Sequence, residues 1–113
     1  MAVRATSRLL VQALIRVTEA GGGFAAVLHK GDAVAGTILV QMLGAEQQIS
    51  LFERVPDFSK GYVLAPAATE SWGDSSSITQ YIERRCRVDP DLWVVELDIA
   101  NAQQLAAAIL AQD

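Results

Sequence analysis

The chain has 113 residues, with nine Lys and Arg against thirteen Asp and Glu, and it is 51% hydrophobic and 19% charged. That length suits one domain spanning residues 1–113 around one core, and the apolar content excludes a disordered chain. The net charge of −4 argues against a nucleic-acid surface, and no apolar run reaches the roughly 20 residues needed to cross a bilayer.

The single cysteine excludes an internal disulfide and fits a reducing compartment such as the cytoplasm. One histidine and one cysteine far apart do not make a typical zinc site, so neither metal nor cofactor is expected.

Arg4 and Arg8 precede the apolar run of residues 9–15, which faintly resembles a secretion signal. Arg16 and Glu19 close that run after about seven residues, so the segment reads instead as a first helix over residues 8–20. Ser7 is the expected N-cap and Gly21 to Gly23 the stop. Leu10, Leu14 and Val17 form one stripe, and Leu9, Val11 and Ile15 add apolar surface that predicts cover on more than one side.

Residues 24–30 and 37–43 read as strands, and Gly31 to Gly36 between them carries hairpin-type turn chemistry. A third strand over residues 48–55 follows a turn at Gly44-Ala45-Glu46, and a short fourth at residues 62–65 lies between Gly61 and Pro66. Residues 56–60 and 67–73 read as loops. Short links between consecutive strands predict an antiparallel meander.

Asp74 or Ser75 caps a second helix with Ile78, Ile82 and Cys86 on one stripe, ended by Pro90. Residues 92–99 alternate as a strand with one buried face, while Glu96 and Asp98 wet the other. Asn101 caps a last helix carrying Ala102, Leu105, Ala106, Ile109 and Leu110. The expectation is an α+β fold, order α-β-β-β-(β)-α-β-α, with a meander of four to five strands packed with three helices.

Four groups are candidate sites. His29, Lys30 and Asp32 at a strand end suit proton transfer or anion binding, or simply a solvated turn. Glu96 and Asp98 emerge on one strand face roughly 7 Å apart, as a cation site or as solvated carboxylates. Arg84, Arg85 and Arg87, followed by Asp89 and Asp91, would grip a phosphate or an acidic partner, or complement a helix end. Trp93 is phased for burial, whereas Trp72 in a polar loop is the better exposed anchor. Cys86 on an apolar stripe reads as an inert core thiol. No phosphate-loop or nucleophile-elbow motif is present.

Two segments, ALIRVTEAGGGFAAVLHKGDAVAGTILV (residues 13–40) and CRVDPDLWVVELD (residues 86–98), resemble the small alphaproteobacterial proteins of the domain of unknown function 1491 family. The likeness runs from residue 8 to about residue 98 and rests most on Lys30-Gly31-Asp32, Ala35-Gly36 and Asp89-Pro90-Asp91-Leu92-Trp93-Val94-Val95-Glu96. It implies an intracellular bacterial protein, with arginine commoner where His29 stands, and it supplies no activity.

Two functions stay open. The first is a non-enzymatic binding module, with a protein partner or a second copy of itself and neither nucleic acid nor membrane. Its candidate binding residues are Lys30, Asp32, Trp72, Arg84, Arg85 and Glu96. The second is a small enzyme or metal- or metabolite-binding protein in which Lys30 and Asp32 meet Glu96 or Asp98, which requires strands one and five to be neighbours.

Overall fold

The computed structural model describes residues 5–44 and 48–111. Within them run α1 (Ser7–Ala20), β1 (Phe24–His29), β2 (Ile38–Leu43), β3 (Ile49–Asp57), β4 (Gly61–Pro66), a 3₁₀ turn (Thr69–Ser71), α2 (Ser75–Val88), β5 (Trp93–Asp98) and α3 (Ala102–Leu110). The α+β class and the element order are those expected from the sequence. Ala45 and Glu46 of the expected turn lie outside the described residues.

Thr6, not Ser7, caps α1, its hydroxyl accepting the Leu9 N–H at 3.3 Å. Ser7 is instead buried, and its hydroxyl donates to the Gly36 carbonyl at 2.6 Å. The Ser7 and Arg8 N–H groups donate to the carbonyls of Val34 and Ala33, so the next loop satisfies the helix start. The buried stripe is Leu10, Val11, Leu14 and Thr18, whereas Val17 is 43% exposed. Val17 leaves the predicted stripe because a 3.6-residue period favours the i+4 position here, which Thr18 holds. Gly22, at φ +87°, supplies the left-handed step out of the helix.

β2, β3 and β4 form the expected antiparallel meander. The first two strands depart from it: β5 lies between β1 and β2, antiparallel to one and parallel to the other, and the sheet order is β1-β5-β2-β3-β4. The turn chemistry of residues 31–36 is real but local, and it does not dictate which strands pair. β5 holds the most continuous apolar run, and Val94 and Val95 are wholly buried between two neighbouring strands and two helical layers. Its wet face is confined to the Glu96 and Asp98 end, because Leu92 and Val94 on that face are also buried.

Leu10, Val11, Leu14, Ile38, Val40, Phe52, Trp93, Val95, Leu97, Ala102, Ala106 and Leu110 join α1 and α3 to one face of the sheet. Leu39, Leu51, Leu92 and Val94 pack on Ile78 of α2 across the other. β3 runs to Asp57, through the proline expected in a loop. Pro56 pairs with Tyr62 of β4 and lies past the end of β2, where a missing N–H disrupts no ladder.

Asp74 caps α2 as expected, accepting from the N–H groups of Ser76 at 3.1 Å and Ser77 at 3.3 Å. Asn101 occupies the N-cap position of α3, but its side chain makes no capping bond.

Candidate functional site

The sequence motifs around Lys30 and Leu92 fold onto each other. To reach β2, residues 31–36 pass over the start of β5, close enough that a Cβ on Gly31 or Gly36 would collide with the Asp91 carbonyl oxygen. The Asp32 N–H donates to that same carbonyl at 3.0 Å. The Trp93 indole N–H donates to the Asp32 carbonyl at 2.7 Å. His29 Nδ1 lies 2.6 Å from the Leu92 carbonyl, so this nitrogen carries the proton and donates. The Asp32 carboxylate accepts the N–H groups of Val34 at 3.1 Å and Ala35 at 2.9 Å, closing the turn. His29, Asp32 and Trp93 therefore clamp the crossover.

Strands one and five are neighbours, as a joint acidic site requires, but the charges do not meet. Glu96 stands opposite Ala26 and Asp98 opposite Phe24, whereas Asp32 bonds Asp91. Five residues separate Asp91 from Glu96, about 16 Å of extended strand. Glu96 instead accepts from Gln41 Nε2 at 3.0 Å across the sheet. Among the described residues, no group of three or more His, Cys, Asp or Glu is arranged to hold a metal ion.

Arg85 is fixed: one Nη donates to Glu53 and to the Tyr81 hydroxyl, both at 2.8 Å. The hydrogen bond to Glu53 raises the Arg85 pKa above its already high value, against desolvation. Arg84 and Arg87 are exposed, and Arg84 rests 5.9 Å from the Tyr81 ring centre. Trp72 is half-buried rather than an open anchor. Its indole donates to the Ala67 carbonyl at 2.8 Å, and its ring lies 5.2 Å from Phe52. Burial pushes the Cys86 thiol up, which disfavours the reactive thiolate.

A cleft of about 430 Å³ lies between Thr6, Ser7, Thr37, Arg54 and Tyr62. Arg54, which the sequence reading passed over, spans its wall. Its guanidinium sits 3.5 Å over the Tyr62 ring, and its Nε donates to the Leu110 carbonyl at 2.9 Å, at the end of α3. No spacing rule in the sequence links Arg54 to Leu110, 56 residues apart.

A second cleft of about 300 Å³ opens between α1 and β1, with Val11, Ile15, Val27 and Trp93 inside and Arg8, Gln12 and Lys30 around it. It adjoins the outer edge of β1, a terminal strand of the sheet. β1 reads Phe-Ala-Ala-Val-Leu-His without Asp, Glu, Lys, Arg or Pro, and Phe24 is 57% and Leu28 49% exposed. A bulge between Val27 and His29 turns the strand end. The missing charges were legible in the sequence, but not that this strand is an edge.

One sheet between unequal helical layers, with an apolar edge strand left open and the ionic groups dispersed among the described residues, defines a small α+β fold. Residues 5–107 match the family described as "Protein of unknown function (DUF1491)", and the chain belongs to that family. It is similar to a DUF1491 family protein from Caulobacter crescentus solved by crystallography, at 33% identity and a TM-score of 0.77, covering 88% of this chain and 92% of that one. The solution structure of a protein from A. tumefaciens matches at 30% identity and a TM-score of 0.73, with 98% of each chain covered. Among curated proteins, none matches the chain. No described helix is long and apolar enough to cross a membrane.

Proposed function

We propose that this protein is a cytoplasmic interaction module that associates with itself through the outer edge of β1. The carrying observation is that edge: an uncharged strand with Phe24, Val27 and Leu28 exposed and, among the described residues, no strand paired on its outer side. Edge strands present unpaired backbone N–H and C=O groups, and proteins ordinarily protect them with charge or proline. Here the bulge protects only the His29 end. The net charge of −4 supports a protein partner over a nucleic acid, and the single cysteine supports a reducing compartment. The separation of Lys30 and Asp32 from Glu96 and Asp98 supports binding over a reaction at those four groups.

Sedimentation equilibrium across micromolar concentrations tests this. The wild type is expected to dimerise, and the double variant Phe24→Lys, Leu28→Lys is expected to be monomeric with an unchanged circular dichroism spectrum. A wild type that stays monomeric to several hundred micromolar overturns the proposal.

A further inference from the structure

Resting on that edge association, we infer that α1 is the second half of the same interface, and that two copies pair their α1 helices antiparallel with Arg8 of each facing Glu19 of the other. Arg8, Gln12, Ile15 and Glu19 recur at i, i+4, i+7 and i+11, so they share one face of α1. Arg8, Gln12 and Ile15 of that stripe line the cleft beside β1, which places the face on the open edge of the sheet. The stripe is basic at its start, carries the uncharged Gln12 and Ile15 in its middle and is acidic at its end. A two-fold axis brings such a stripe onto its own complement. Among the described residues, neither Arg8 nor Glu19 has an ion-pair partner within its own chain.

The dimensions agree. Eleven residues of helix separate Arg8 from Glu19, about 16 Å, and the six residues of β1 span about 17 Å. A two-fold axis between the two edge strands, level with the middle of β1, therefore also aligns the ends of the two stripes. α1 contacts both β1 and β5, so it lies inward of the edge. With strands about 4.8 Å apart, the two α1 axes come about 10 Å apart, the ordinary packing distance of helices. Lys30, at the Arg8 end of the cleft, adds a second cation facing the incoming Glu19. The occupant of the cleft is thus the acidic end of α1 from a second copy.

Charge reversal of full-length protein tests this by sedimentation at low salt. Arg8→Glu alone and Glu19→Arg alone are each expected to raise the dimer Kd about tenfold, since each creates two like-charge contacts per dimer. The double variant Arg8→Glu, Glu19→Arg is expected to return to within about threefold of wild type, and the differences are expected to shrink at high salt. A double variant no tighter than the singles, or singles that match wild type, overturns the α1 pairing while the dimer through β1 stands. A monomeric wild type overturns the edge association beneath it.

Discussion

Thr18 is the described buried polar side chain whose hydroxyl has no hydrogen-bond partner. A hydroxyl shut away from water without a partner costs free energy, and valine has the same branched shape without that group. Thr18→Val is therefore expected to stabilise the fold by about 1 kcal/mol, read from denaturant melts. Asp74 shows the opposite case. Bonds from the Ser77 and Ser76 backbone and the Ser77 hydroxyl lower its pKa below the ordinary 3.8. A depressed carboxylate contributes stability that is present above its unfolded value and lost as pH falls through the lower folded value. Asp74→Ala is thus expected to melt below wild type at about pH 7, with the gap narrowing at about pH 2.5. A gap independent of pH would mean that the charge of the cap contributes nothing.

At the scale of elements, the crossover of residues 31–36 decides the sheet. It anchors three pieces at once: the start of α1 through Val34 and Ala33, the start of β5 through Asp91, and Trp93 through the Asp32 carbonyl. Gly36 is where backbone passes backbone, with the Trp93 ring 2.9 Å from where a Cβ would sit. Gly36→Ala forces these parts to move and is expected to cost about 2 kcal/mol or more, measured as a lower denaturation midpoint. Near-wild-type stability would show that the crossing is loose. The resemblance carried by Lys30-Gly31-Asp32, Ala35-Gly36 and the Asp91-Leu92-Trp93 run is thus largely a fold signature, since these residues hold the crossover.

For the whole molecule, the two faces of the sheet are unequally covered. α1 and α3 roof one face, with α3 presenting Ala102 and Ala106 to the core, while α2 buries Ile78 over part of the other. Phe24 lies on the α2 face of the sheet, as its pairing with Asp98 shows, and it is 57% exposed there. The apolar surplus that the composition announced is therefore used at two places. Most of it fills two cores, and the remainder stands along β1 and the outer side of α1, where Leu9 and Val17 are exposed. The part along β1 is the surface on which the proposed association draws, whereas Leu9 and Val17 point away from the Arg8–Glu19 stripe.

The sequence alone determined what depends on neighbours a few residues away: the helices, their glycine and proline ends, the Asp74 cap, the Asp32 turn and the strand positions. These follow from backbone sterics and short hydrogen bonds, which a local reading contains. Only the tertiary structure decided that β5 enters between β1 and β2, that Glu96 and Asp98 stay far from Lys30, and that Arg54 reaches Leu110. Those outcomes turn on which strand most needs two covered faces and two paired edges, a competition among distant segments.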